Sequence, residues 1–256
     1  MKGVLKGYER FVGILTPLAL LIIWELAARA GLIDVRFFPP PSSIAHQIGV
    51  LLQSGELVTN TLASLRRLAL GMLLGGIPAL LLGLAMGVSR PLRVAIDPLI
   101  SATYPIPKSA ILPLVLLIFG LGELSKVVMV ALGAFYPIVI NTVVGVVGLD
   151  RIYLDVGHNY KASRWQVFRT IALPGALPSI MAGIKLAAGM ALILIAISEM
   201  VAANDGIGYM IWNSWQVLTV DTMYVGLLVI ALLGFIFSVV LDEIERLLIP
   251  WKTSQQ

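Results

Sequence analysis

Long apolar runs separated by short polar stretches dominate this chain. Residues 68–88, 127–149 and 222–241 carry no charged side chain. Each is as long as the roughly 20 residues a helix needs to cross a hydrocarbon layer of about 30 Å. Three further runs carry isolated charges: 11–28 contains Glu25, 96–121 contains Asp97 and Lys108, and 176–200 contains Lys185 and Glu199. The pattern predicts an all-α, polytopic membrane protein with six transmembrane helices and little chain left for a soluble domain.

Composition agrees. Hydrophobic residues make up 59% of the 256 and charged residues only 12%, and the mean hydropathy is +0.95, beyond what a hydrated surface tolerates. Lys2, Lys6 and Arg10 ahead of an apolar run, with Ala28-Arg29-Ala30 behind it, imitate a secretory leader. Glu25 interrupts the end of that run and favours a retained first span. The chain has no cysteine, which excludes disulfides and thiolate metal sites.

Lysine and arginine set the expected orientation. With the N-terminus inside, the inner segments hold Lys2, Lys6, Arg10, Arg90, Arg93, Arg151, Lys161, Arg164, Arg169, Arg246 and Lys252, eleven in all. The outer segments hold five: Arg29, Arg36, Arg66, Arg67 and Lys126. The asymmetry predicts cytoplasmic N- and C-termini. It also accounts for the net charge of +4 without nucleic-acid binding, for which no basic stripe exists.

Pro39-Pro40-Pro41-Ser42-Ser43 marks an outer loop, and the weakly amphipathic residues 44–67 are expected at the membrane interface, in contact with lipid. Gly71, Gly75, Gly83 and Gly87 suit close helix approach, although glycine is common in membrane helices in general. Pro105, Pro107, Pro113, Pro137 and Pro178 are expected to break spans three to five and free carbonyls that must face protein or water. Asn204-Asp205-Gly206-Ile207-Gly208 reads as a turn, with Tyr209, Trp212 and Trp215 forming an aromatic cluster at the outer side.

The polar insert 155–174 is the long stretch with no reason to enter lipid. Tyr160, Arg164, Val167, Phe168 and Ile171 recur at helical spacing, giving an apolar stripe beside Lys161 and Arg169. Read alone, such a segment can lie on a lipid surface. Its spacing, however, resembles the signature loop of the membrane subunits of bacterial ABC importers: glutamate-alanine-alanine, three residues, glycine, nine residues, isoleucine, one residue, leucine-proline. Here Asp155-Val156-Gly157 is followed at the same intervals by Lys161, Ile171 and Leu173-Pro174. Asp155 replaces glutamate, and Lys161 stands where the family has glycine, a residue that accepts positive φ more readily.

The resemblance continues through Tyr104-Pro105-Ile106-Pro107-Lys108, the turn at 119–126, Tyr136-Pro137-Ile138-Val139-Ile140-Asn141-Thr142, and residues 199–208, which look like the subgroup importing sulfonates, taurine or nitrate. It implies a type I importer permease core over 61–251, preceded by a first helix and outer segment in 1–60 and followed by a cytoplasmic tail at 252–256. It also implies a coupling helix between spans four and five, contacting the ATPase through Asp155, Gly157, Lys161, Ala162, Ser163, Arg164, Phe168, Leu173 and Pro174. The implied partners are a second copy, two cytoplasmic ATPase subunits that hold ATP and magnesium, and a periplasmic or lipid-anchored binding protein. This chain itself would bind no cofactor and would lie in the bacterial inner membrane.

Ser101, Tyr104, Lys108, Asn141, Thr142 and Glu199 are the candidate pathway residues, since polar groups inside spans are suspects by default. For Lys108 the structural alternative is pairing with a carboxylate or snorkelling to the inner surface, and for Lys185 snorkelling is expected. Glu199 is expected in a hydrogen bond or ion pair, with an outer gate as the alternative. The chain has no G-x-x-x-x-G-K-[ST], G-x-S-x-G or H-E-x-x-H, so the sequence does not read as an enzyme. An ion-gradient-driven transporter or channel is the competing function, but it leaves 155–174 without a purpose.

Overall fold

The computed structural model describes residues 2–251, with side chains throughout that range except at 2–12, 14, 151, 154, 158 and 164. The regular elements among the described residues are all helical. They are α1 (Lys2–Arg29), α2 (Pro41–Gln53), α3 (Glu56–Val88), α4 (Arg90–Thr103), α5 (Leu112–Phe119), α6 (Glu123–Val147), α7 (Arg151–Asn159), α8 (Arg164–Val167), α9 (Leu173–Ala202), α10 (Ile207–Gln216) and α11 (Val220–Leu248). A 3₁₀ turn, Lys108–Ile111, precedes α5, and a π-helical turn, Phe168–Ala172, joins α8 to α9 without a break.

Among the described residues four continuous helices are long and apolar enough to cross a bilayer: α3, α6, α11 and the joined stretch Trp165–Ala202. A fifth span exists only as a bent pair, Arg90–Thr103 with Lys108–Phe119, which turns through 85°. Four or five of the six expected spans are thus found among the described residues. The expected first span lies within α1, but its Phe11, Val12 and Ile14 side chains fall outside the described residues.

Three expectations about local structure are corrected. Pro137 and Pro178 sit inside unbroken α6 and α9, while the break falls at Pro105 and Pro107, where two prolines in three residues remove two N–H donors. Residues 44–67 do not form one interfacial stretch: they divide at Gly55, which takes φ 77, and 56–67 continues directly into α3. Tyr160 does not share a helix with Val167, Phe168 and Ile171, because the chain turns between α7 and α8.

The core is a three-helix seam. α3 runs parallel to α6, with Gly71 against Val130, Gly75 against the Ala131 backbone, Gly83 against Thr142 and Gly87 against Val146. α9 runs antiparallel to α6, with Gly133 facing Leu194, Gly145 facing Ser179 and Gly183 facing the Pro137 carbonyl. Between helices already surrounded by apolar lipid, close van der Waals contact is what drives association, and only small residues permit it. A Cβ at Gly75 would lie 2.2 Å from the Ala131 carbonyl oxygen, so backbone touches backbone there.

The short elements are pinned at one end of this bundle. The Glu25 carboxylate of α1 accepts from the Ser42 N–H at 3.0 Å and from Ser42 Oγ at 2.8 Å, satisfying the first turn of α2. Trp24 lies against Tyr224 with ring centroids 5.6 Å apart. Ser43 donates to Asp221 at 2.7 Å and Gln47 to Thr222 at 3.0 Å, fastening α2 to α11.

Replacing Gly75 by Val is expected to lower the stability of the solubilised protein by about 1–3 kcal/mol or more, since the Ala131 backbone cannot yield. Gly49→Ala in α2, where a Cβ meets nothing within 4 Å, should be neutral or slightly stabilising. Thermal unfolding of both variants in one detergent checks the contrast.

Candidate functional site

Three arrangements bear on function. The first is a groove of about 480 Å³ on the flank of the bundle, where the broken span meets α6 and α9. Its walls include Tyr104, Ile106, Lys108, Tyr136, Asn141, Leu186 and Met190. The broken span supplies non-helical backbone at 104–107, and Pro137 in α6 leaves its carbonyl to the Asn141 side chain, which donates to it at 2.8 Å. Among the described lining residues Lys108 alone is charged. Its ammonium donates to the carbonyls of Thr103, Tyr104 and Ile106 at 3.0, 3.0 and 2.9 Å and stands 4.0 Å from the Tyr136 ring centroid. Lys108 therefore neither pairs with a carboxylate nor snorkels to a surface.

The second arrangement is a buried charge cluster where α3 and α6 begin and α9 ends. Arg67, 1% exposed, donates to Glu199 at 2.8 Å, to Glu123 at 2.6 and 2.9 Å, to the Asp205 carbonyl at 2.9 Å and to the Asp205 carboxylate. Glu199, 0% exposed, also accepts from Ser64 and from the Gly208 N–H at 3.0 Å. Asn60 accepts from the Gly206 N–H and Ser64 from the Ile207 N–H, both at 2.8 Å, so the first turn of α10 is satisfied by α3 and Glu199. Gly206 takes φ 107, and a Cβ there would lie 2.4 Å from Glu199, so glycine is required on both counts.

The third lies at the opposite end of the bundle. Asp150 accepts from the Ile152 N–H at 3.1 Å to begin α7. α7 ends in a Schellman cap: Lys161 adopts φ 53, and the Ala162 N–H donates to the Gly157 carbonyl at 3.0 Å. The glycine position of the signature pattern is thus the left-handed residue of a helix cap, and lysine occupies it in the conformation glycine would take. The next helix starts with a capping box, the Gln166 N–H donating to Ser163 Oγ at 3.3 Å and the Ser163 N–H to Gln166 Oε1 at 2.8 Å. Gly157 lets the two helices touch, since a Cβ there would lie 3.0 Å from Val167. Ile152, Tyr153, Val156, Tyr160 and Trp165 are left exposed, and Trp165 stacks on Phe168 at 5.5 Å.

The candidate pathway residues thus separate. Tyr104, Lys108 and Asn141 share the groove. Ser101, on exposed α4 surface, does not line it. Thr142 is 0% exposed and packs on Gly83 between α3 and α6, and Glu199 belongs to the Arg67 cluster. Lys185 pairs with Asp242 and Glu245 near the end of α11. Asp155, Lys161 and Ser163 are exposed around the Schellman turn, while Ala162, Phe168, Leu173 and Pro174 are half-buried. The backbone of Arg164 begins α8, and its side chain is outside the described residues. Sequence reasoning missed Asn60, Ser64, Arg67 and Asp205 as site residues. The available signal was the spacing of Asn60, Ser64, Arg67, Gly71 and Gly75, which places all five on one face of a helix.

The described residues form a polytopic helical bundle with a flank groove and a capped helix–turn–helix at one end. Residues 71–253 match the family model described as binding-protein-dependent transport system inner membrane component, and the chain belongs to that family. It is 32% identical to a Bacillus subtilis protein named as the aliphatic sulfonates transport permease SsuC, over 98% of this chain and 91% of that one. It is 33% identical to the Escherichia coli taurine transport system permease protein TauC, over 92% and 89% of the two chains. Identity to the Halalkalibacterium halodurans formylaminopyrimidine transport permease protein ThiX is 28%, over 98% and 99%. The chain is thus a multi-pass inner-membrane ABC importer permease, a transport subunit and not an enzyme, with ATP hydrolysis in a separate subunit.

Arg67→Met leaves Glu199 buried without its cation and should destabilise the protein by about 3–5 kcal/mol. Arg67→Lys should recover only part of that, because an ammonium cannot reproduce the planar fork that meets three carboxylates. Melting temperatures of the two purified variants against the parent measure the difference.

Proposed function

We propose that two copies of this chain form the membrane pathway of an ATP-driven importer for a small anionic solute of the sulfonate, taurine or nitrate kind, the groove of each copy facing the other. The groove carries this reading. Residues 104–107 present non-helical backbone, and Tyr104 and Ile106 are 54% and 45% exposed in the isolated chain. Irregular backbone facing hydrocarbon leaves polar groups unpaired, so such a segment is tolerated only against protein or around water. A second copy supplies the protein, and the space between copies supplies the water.

Lys108 gives that space its sign. A buried ammonium with no carboxylate among the described lining residues makes the groove attractive to anions and costly for cations. The permeases named for aliphatic sulfonates and taurine support an anionic or zwitterionic sulfonate as solute. An ion-gradient mechanism would leave the capped helix–turn–helix at 151–172 without a purpose.

The helix–turn–helix at 151–172 is the contact with the cytoplasmic ATPase subunits in this reading. Its exposed Tyr153, Val156 and Tyr160 lie outside the spanning helices and Trp165 at the first residue of one, apolar surface of the kind a soluble partner buries. Because α8 runs into α9 through the π-helical turn, motion at the turn is delivered directly to a groove wall at Leu186 and Met190. ATP-driven closure of the ATPase pair would pull the turns together and open the shared cavity outward to a periplasmic or lipid-anchored binding protein. The lysine and arginine asymmetry supports this orientation, with both termini in the cytoplasm.

Absence of native cysteine makes single-cysteine tests clean. Met190→Cys should cross-link copy to copy with a short bifunctional thiol reagent in the assembled complex; reaction at Met190→Cys without any cross-linked dimer would set the groove against lipid and remove the paired-copy reading. Ala162→Asp or Trp165→Asp should strip the ATPase subunits from the complex while leaving the melting temperature of the membrane subunit unchanged, because a carboxylate would be buried unpaired at the contact. Retention of the ATPase by both variants would refute the coupling role.

A further inference from the structure

The two turns that bound α5 are closed by the same device. At the first, the Lys108 ammonium, in a residue 8% exposed, gathers the carbonyls of Thr103, Tyr104 and Ile106. At the second, the Lys126 ammonium, in a residue 3% exposed, donates to the carbonyls of Leu121 and Gly122 at 3.2 Å each and reaches Glu123 at 3.5 Å. In both turns the lysine lies five residues after the first carbonyl it holds. Both turns interrupt a helix, one through Pro105 and Pro107 and the other at Gly120, φ 74. Carbonyls freed in this way have no N–H of the helix to meet them, and an ammonium offers three donors.

Between the clamps, α5 packs Leu112 and Val115 against Met129 and Leu194. The far clamp touches Glu123, which Arg66 and Arg67 also hold. A short helix fixed at both ends, with one packed face, has little freedom to bend within itself. One end of the segment is thereby tied to the buried charge cluster and the other forms the groove wall.

We infer that Lys108 and Lys126 are paired positioning residues that hold residues 103–126 as one rigid piece, so that the clamp at Lys126 sets the geometry of the groove wall at 104–108. Lys126 does not line the groove and acts on it only through α5. This goes beyond the transport reading and does not depend on it, since the geometry of the wall can be read whether or not the solute passes there.

The test uses the full-length chain in lipid nanodiscs, with single cysteines and a water-soluble methanethiosulfonate reagent. Lys126→Met should raise the labelling rate of Ile106→Cys about tenfold, the shift expected when carbonyls of the far clamp lose their donor. If 103–126 moves as one piece, Lys108→Met should in turn raise labelling of Leu121→Cys above the parent rate. Lys126→Arg, which keeps a cation and its donors, should return Ile106→Cys toward the parent rate. Asn213→Cys in α10 should label at one rate in every background. If each lysine changes labelling only in its own turn, the clamps are independent and the inference is overturned. Equal acceleration at Asn213→Cys overturns it as well, by assigning the lysines to general packing.

Discussion

A guanidinium withdrawn almost wholly from solvent must be neutralised in place, and Arg67 is neutralised from three directions. Glu123 comes from the start of α6, Glu199 from the end of α9 and Asp205 from the loop before α10. Each carboxylate fixes one element against α3. Local charge balances, with Arg66, Arg67 and Lys126 against Glu123, Glu199 and Asp205. Such a cluster contributes less to net stability than its contacts suggest, because desolvating the ions opposes their attraction. It also bears on register: sliding one helix by a residue moves its carboxylate about 1.5 Å along the axis, away from the Arg67 fork.

The glycine seam follows from that register. Parallel α3 and α6 meet at Gly71, Gly75, Gly83 and Gly87, and a slide of either helix by one residue would set side chains where only backbone fits. Polar pairing fixes the seam at one end, and close packing carries it through the bilayer. α9 is bound to the same seam, and its continuation through the π-helical turn into α8 carries the rigid core to the far turn at 160–163. A π turn inserted there rotates the helix without breaking it. The two functional ends of the molecule are therefore joined by one stiff element, and the broken span beside the groove packs on it through Leu112, Val115 and Leu194.

Lysine at position 161 illustrates how a motif can survive the loss of its most restrictive residue. The left-handed conformation costs a non-glycine residue roughly 1–2 kcal/mol. Here the Schellman bond from Ala162, the capping box at Ser163 and the contact of Gly157 with Val167 jointly impose it. The geometry belongs to the two helices being joined, so the turn persists with a cation at its apex.

The sequence by itself determined the solvent and most of the spans. Uncharged runs of about 20 residues have no stable place but a bilayer, and the signature spacing of 155–174 located the helix–turn–helix. The glycines of α3 were also legible as a close-contact face. What the tertiary structure decided was the partner of each intramembrane charge. Lys108 and Lys185 fall inside expected spans and Lys126 in an expected outer segment, yet Lys108 and Lys126 both hold carbonyls of their own turns while Lys185 pairs with Asp242 and Glu245 of α11. Proline was equally ambiguous: Pro137 and Pro178 stay inside helices whose neighbours support them, while Pro105 and Pro107 end one. Local sequence states that a donor is missing or a charge is present. Which group from a distant part of the chain answers it is settled only when the helices pack, because the satisfying atom lies tens of residues away and in a low-dielectric interior must be found.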